Sequence, residues 1–199
     1  MASALGYAIP FAFASGLNVY ATVAVLGLCA HYGLVALPEQ FQPLDHPLVI
    51  GAALVMYAIE FVADKIPWLD TAWDAVHTVI RPIGGAFVAV VAIGHASPLA
   101  TTLAALLGGS VAMTTHLTKA GTRAAANVSP EPFTNWILSF GEDVLAVSLT
   151  YGAIRHPNIA MAVAMTLLVT IVIFSSLLIR FVRRRFRRAG GAGRAGRAE

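Results

Sequence analysis

Glu142 and Asp143 stand side by side in SFGEDVLAV, residues 139–147, inside an otherwise apolar run. A carboxylate at the centre of a bilayer costs about 2.5–3.5 kcal/mol on insertion scales, so it normally faces a bundle interior or a cavity and meets a partner there. Neither side chain has a stem long enough to reach the interface. Adjacent helical positions point about 100° apart, so the two carboxylates need not share a partner. A buried carboxyl without a full partner resists ionisation, which suits proton coupling or cation binding. A fully paired one is a structural ion pair. Both roles stay open for Glu142 and for Asp143.

Other residues could join the same chemistry. Glu60 and Asp64 lie one turn apart in the apolar stretch 48–66; Glu60 is the deeper, and Asp64 with Lys65 is expected to be a solvated flank. His116, Lys119 and Arg123 fall at i, i+3 and i+7 on one helix face and are the cations within reach of the acids. They fit either ion pairs that lock a bundle or a relay in which His116 and Glu142 exchange protons. Asn18 and Thr22, with Ser110 and Thr114, are small polar groups in mid-stretch. SGLN and GGS are compatible with close helix packing and with helix breaks whose free backbone groups bind a substrate. Asp70, Asp74, His77 and Arg81 recur at i, i+4, i+7 and i+11 in WLDTAWDAVHTVIRP. That stretch is expected to be a short polar helix with Trp68 and Trp73 at the membrane interface.

The elements that must hold these residues follow from composition. Of 199 residues, 58% are hydrophobic and 12% charged, with a mean hydropathy of +0.75, whereas a soluble domain carries roughly 25% charged residues. At about 20 residues per crossing, the apolar stretches 4–35, 48–66, 79–95, 98–119, 133–154 and 157–181 predict an all-α integral membrane protein of about six transmembrane helices. They form one domain, residues 1–182, followed by a basic, disordered tail, 183–199. Eight of the 13 Lys/Arg lie between Arg180 and Arg197. A basic run directly after an apolar stretch marks a cytoplasmic flank able to touch anionic lipid, and argues against nucleic acid as a partner. Six crossings then place both termini in the cytoplasm, in a cell inner (plasma) membrane. No Lys or Arg precedes Lys65, so the first stretch lacks the basic start of a secretory signal and is expected to be retained.

Cys29 is the only cysteine, and the six histidines show no HxxxH or HExxH spacing. GxSxG and Walker motifs are absent as well. No metal, cofactor or enzymatic activity is therefore expected.

Sliding the sequence by 92 residues places Pro38 on Pro130, Glu39 on Glu131 and Phe41 on Phe133, together with Gly16 on Gly108, Val19 on Val111 and Thr22 on Thr114. With a shorter loop in the second half, Glu60 then meets Glu142. Two three-helix repeats, about 4–95 and 98–181, would enter the membrane from opposite sides, as in many secondary transporters. Chance similarity between helices rich in small residues accounts for the identities equally well. The run FVADKIPWLDTAWDAVHTVIRPIGG, with SGLNVYATV before it and SPEPFTNWILSFGEDVLAV after it, resembles a family of small bacterial multi-pass integral membrane proteins catalogued only as a domain of unknown function. The resemblance covers residues 5–180. It implies a multi-pass helical fold and assigns no activity.

The functional expectation therefore rests on the residues themselves. It is a proton- or cation-coupled transporter or channel for a small solute, with Glu142 and Glu60 as coupling carboxylates. Asp143, His116 and Lys119 tune them and Asn18 completes the site, in a chain small enough that a homodimer is the expected unit. The alternative is a non-transporting structural or regulatory membrane protein whose buried charges form ion pairs.

Overall fold

A computed structural model describes residues 2–34, 39–128 and 132–195. Pro38, Pro130 and Glu131, three members of the PEQF/PEPF match, lie outside the described residues. The described elements are helices: α1 (Ala2–His31), a 3-10 turn (Glu39–Asp45), α2 (Pro47–Ala63), α3 (Pro67–Ile93), α4 (Pro98–Asn127), α5 (Pro132–Arg155) and α6 (Pro157–Ala195). Five of the six α-helices begin on a proline, whose fixed φ suits the first helical turn and whose missing N–H is not needed there. His46 and Ser97 cap α2 and α4 by accepting from Leu48 N and Ala100 N. Gly94, at φ 63°, stops α3 in a conformation that a side chain would resist.

The chain divides into two compact units, residues 1–165 and 166–199. In the second, α6 continues with exposed apolar residues as far as Phe181, and its backbone stays helical to Ala195 where the sequence predicts an irregular tail from residue 183. Gly6–His31, α3, α4, Phe133–Arg155 and Pro157–Phe181 are each long and apolar enough to cross a membrane. A sixth crossing is reached if the 3-10 turn and α2, bent by 69° to each other, count as one span. The short polar helix and the third apolar stretch, which the sequence allows to be continuous, form one unbroken α3.

In the first unit the usual order of polarity is reversed. Val76, Val79, Ile83 and Phe87 of α3, and Phe133, Ile137, Phe140, Val144 and Tyr151 of α5, are exposed, whereas Glu60, Asp64, Asp70, Arg81, Lys119 and Arg123 are buried. Apolar outside and charged inside is the arrangement that a hydrocarbon solvent favours. Small residues let the helices approach closely enough to enclose the charges. A methyl added at Gly108 would lie 2.4 Å from Ala89 Cβ and 2.6 Å from Gly85 O, and one at Gly16 would lie 2.5 Å from Ala112 O. GGS in α4 is therefore a close-packing device.

SGLN in α1 is a break. Asn18 adopts φ −153° and ψ 100° between two helical limbs, residues 2–17 and 19–31. The contacts of the limbs fix their course. α2 and α5 run antiparallel: Asn135 Nδ2 donates to Asp64 O at 3.3 Å, and further along each helix Tyr57 neighbours Asp143. The start of α2 and the α5–α6 turn thus share one end of the bundle. The first limb begins there, since a methyl at Gly6 would lie 3.2 Å from Pro157 Cβ and the Phe11 ring packs edge-on to Phe41 of the 3-10 turn at 5.6 Å. It descends to Gly16, beside Ala112 and Thr115 in mid-α4. The second limb climbs back, and a methyl at Gly27 would lie 2.7 Å from Leu44 O and from Ile50 Cγ1. α1 is a hairpin with both ends at the Pro47 end of α2 and its tip, Asn18, inside the bundle.

Candidate functional site

The tip of α1 and the lower halves of α2 to α5 enclose a charged cluster. Each helix contributes at its own period: Glu60 and Asp64 from α2; Asp70, Asp74, His77 and Arg81 from α3; His116, Lys119 and Arg123 from α4; Asn135, Ser139, Glu142 and Asp143 from α5. Apart from Glu142, which keeps a side-chain exposure of 12%, all of these are buried.

Lys119 is the centre. Its ammonium has three hydrogens, and three acceptors take them: Leu17 O at 3.2 Å, Glu60 Oε1 at 3.2 Å and Asp64 Oδ2 at 3.1 Å. Glu142 Oε2 lies 3.5 Å away with no hydrogen-bond donor. Glu60 and Glu142 therefore converge on one cation, but only Glu60 is bonded to it. Asp64, predicted to be a solvated flank, is 1% exposed and belongs to the same group.

Arg81 extends the cluster along α3. Its Nη2 donates to Glu60 Oε1 at 2.7 Å, and its Nη1 to His116 Nδ1 at 2.8 Å and Gly16 O at 3.3 Å. A guanidinium only donates, so His116 Nδ1 is an acceptor and the ring is the neutral Nε2–H tautomer. Nε2 then donates to Thr78 Oγ1 at 3.0 Å, and that hydroxyl donates to Asp74 O at 3.0 Å. His116 thus faces Arg81 and Thr78, and no hydrogen bond joins it to Glu142. His77 donates from Nδ1 to Trp73 O at 2.8 Å and meets Tyr20 Oη through Nε2 at 3.1 Å.

Arg123 closes the other end. Nε and Nη2 hold Asp70 Oδ1 at 3.1 and 2.9 Å, Nη1 donates to Asn135 O at 2.7 Å, and Nη2 also donates to Asp64 O. Asn127 Nδ2 takes Asp70 Oδ2 at 2.8 Å. All three nitrogens are thus bonded, and the side chain joins α3, α4, α5 and the end of α2.

The break in α1 supplies acceptors to the cluster. A continuous helix would have used the carbonyls of Gly16 and Leu17 internally; here they receive Arg81 and Lys119. Asn18 Oδ1 caps the returning limb by accepting from Ala21 N at 2.8 Å, while its Nδ2 donates to Asp143 Oδ1 at 3.0 Å. Asp143 is held by Asn18.

Arg81, Arg123, Asp64, Asp70, Asp74 and His77 join the six residues predicted for the site. The signal for four of them was the α3 stripe at i, i+4, i+7 and i+11, read as the polar face of an interfacial helix. Glu60 Oε2, Asp64 Oδ1, Asp74 Oδ1, Glu142 Oε2 and Asp143 Oδ2 are buried without a hydrogen-bond donor. Among the described residues, no group of three or more His, Cys, Asp or Glu is arranged to hold a metal ion.

The profile of a family described as Domain of unknown function (DUF4126) matches residues 5–176, well over half of the chain. The chain belongs to the DUF4126 family. Its charged cluster lies wholly within the matched residues. No curated protein and no solved structure matches the chain.

Proposed function

We propose that this protein is a small proton- or cation-coupled membrane carrier, with Lys119, Glu60 and Glu142 as its coupling centre. One observation carries this above the others. All three Lys119 hydrogens are committed elsewhere, so Glu142 can gain or lose a proton without a hydrogen bond to the ammonium being broken. It is also the most exposed carboxylate of the cluster, at 12%. A change of charge there alters the field at a cation shared with Glu60 and Asp64 while the bonded frame stays in place.

Charge balance supports the same conclusion. Six carboxylates, Glu60, Asp64, Asp70, Asp74, Glu142 and Asp143, surround three buried cations, Arg81, Lys119 and Arg123, with Lys65 half-buried beside Ser139. Surplus negative charge in a low-dielectric interior is costly unless protons or a small cation neutralise it. The proposed repeat fits as well, because Glu60 and Glu142, which it pairs once the loop of the second half is taken as ten residues shorter, approach one ammonium from helices of opposite direction. Ser110, the counterpart of Asn18, sits in an unbroken α4, so the halves differ in their first element.

In this proposal the protein lies in the plasma membrane with the arginine-rich end of α6 in the cytoplasm. Reconstitution into liposomes with an internal pH dye tests it. Wild type is expected to pass protons under an imposed pH gradient and Glu142→Gln to lose that flux while eluting as a folded species. Equal flux in both would overturn the coupling role.

Arg123 favours a second role for part of the cluster. Hydrogen bonds from all three of its nitrogens, to groups of α2, α3 and α5, are what a structural clamp needs.

A further inference from the structure

A 26-residue apolar segment such as Gly6–His31 would ordinarily be counted as a crossing. Its contacts describe something else. Gly6 lies against Pro157 at the α5–α6 turn, Phe11 against Phe41, and Gly27 against Leu44 and Ile50 at the start of α2. All three contacts are at one end of the bundle. Between them the chain reaches inward only as far as Asn18, which is bonded to Asp143. The opposite end, where Arg123 binds Asp70 and Asn135 meets Asp64, is built from α2 to α5.

We propose that α1 is a re-entrant hairpin, which enters and leaves the membrane on one face, and that the chain crosses five times, through α2 to α6. The non-helical backbone at the tip is tolerated at that depth because protein groups satisfy it. Arg81 takes the Gly16 carbonyl, Lys119 takes the Leu17 carbonyl, and the Asn18 side chain caps the second limb. Irregular backbone inside a bilayer is viable only with such partners. At 17 residues, α2 is at the lower limit for a crossing, and its end at Ala63 leads directly into Asp64 and Lys65. Positive loop charge puts the Lys65 end in the cytoplasm. The Ala2 end of α1 and Tyr32 then both face outward. This inference is independent of the coupling proposal, since it concerns the path of the chain and holds whether or not Glu142 exchanges a proton.

Single-cysteine accessibility tests it in a Cys29→Ala background, which removes the only native thiol. Ser3→Cys, Tyr32→Cys and Val128→Cys are treated with a membrane-impermeant maleimide in right-side-out vesicles; Tyr32 is 67% and Val128 86% exposed. Expected is labelling of Ser3→Cys and Tyr32→Cys in sealed vesicles, and of Val128→Cys only after the membrane is opened. Should Ser3→Cys instead follow Val128→Cys, α1 crosses and the proposal is overturned. A protease-cleavable tag ahead of Met1 decides the matter if the thiol at position 3 does not react: cleavage in sealed vesicles supports the hairpin, and protection until opening overturns it.

Discussion

Glu142 Oε2 stands 3.5 Å from Lys119 Nζ, and no hydrogen of that ammonium is left to bridge the gap. Attraction without a bond separates this carboxylate from Glu60, which holds both Lys119 and Arg81. Glu142→Gln should therefore unfold within about 1 kcal/mol of wild type, the range of weakly coupled ion pairs. Glu60→Gln should cost about 3–5 kcal/mol, because it leaves two buried cations under-compensated. Thermal unfolding in detergent, followed by fluorescence, measures both; equal losses would remove the distinction drawn between the two residues.

Arg123 and Asp70 form the most completely bonded pair of the cluster. Arg123→Ala is expected to destabilise by about 3–5 kcal/mol by stranding Asp70 among buried neighbours. The double variant Arg123→Met/Asp70→Leu should recover much of that loss. If the double variant is no better than the single one, the stranded charge is not the cause.

Asn18→Ala removes a helix cap and a donor together. The cap contributes about 0.5–2 kcal/mol, and leaving Asp143 Oδ1 without its donor adds about 1–3 kcal/mol. Hydrogen exchange should report the damage locally, with faster exchange at Ala21 and little change at Gly108 in α4. Uniform acceleration over both helices would argue against a local capping role.

Two glycines make a matched test of helix approach. Gly108→Ala puts a methyl 2.4 Å from Ala89 Cβ and should cost about 1–3 kcal/mol through overpacking. At Gly141 nothing lies within 4 Å of an added methyl, so Gly141→Ala should be neutral or stabilise by up to about 1 kcal/mol. A reversed order of melting temperatures would contradict the packing of α3 on α4.

For His116, nitrogen-15 NMR of the labelled side chain should report the neutral Nε2–H tautomer at neutral pH, as Arg81 requires. An imidazolium signal there would mean that Arg81 does not donate to the ring.

Much of this architecture was legible in the sequence, because lipid solvation and proline act locally. Composition alone predicts a helical membrane body, and the prolines at 47, 67, 98, 132 and 157 mark where helices begin. Glu60, Glu142 and Lys119 were singled out because charges in apolar runs are costly, and they do meet. What could not be read was depth and partner choice. The stripe from Asp70 to Arg81 has the period of a surface helix, and only packing against α4 and α1 turns that polar face inward. Asp64 looked solvated because it is near a turn, yet that turn is covered by Arg123 and Asn135. Asn18 was the hardest case. A single non-helical residue leaves the apolar pattern of a span intact, so a hairpin and a crossing have the same sequence signature.

The broken tip of α1 also sets an order of events during synthesis. The groups that accept its two freed carbonyls and hold its Asn18 side chain, Arg81, Lys119 and Asp143, are all encoded later in the chain, the last of them 125 residues after Asn18. When α1 leaves the ribosome no partner yet exists, so the hairpin can seat only once α3, α4 and α5 are in the membrane. α1 thus reaches its final position only after α5 is in the membrane, and until α5 arrives the charges of α3 and α4 have only each other and α2.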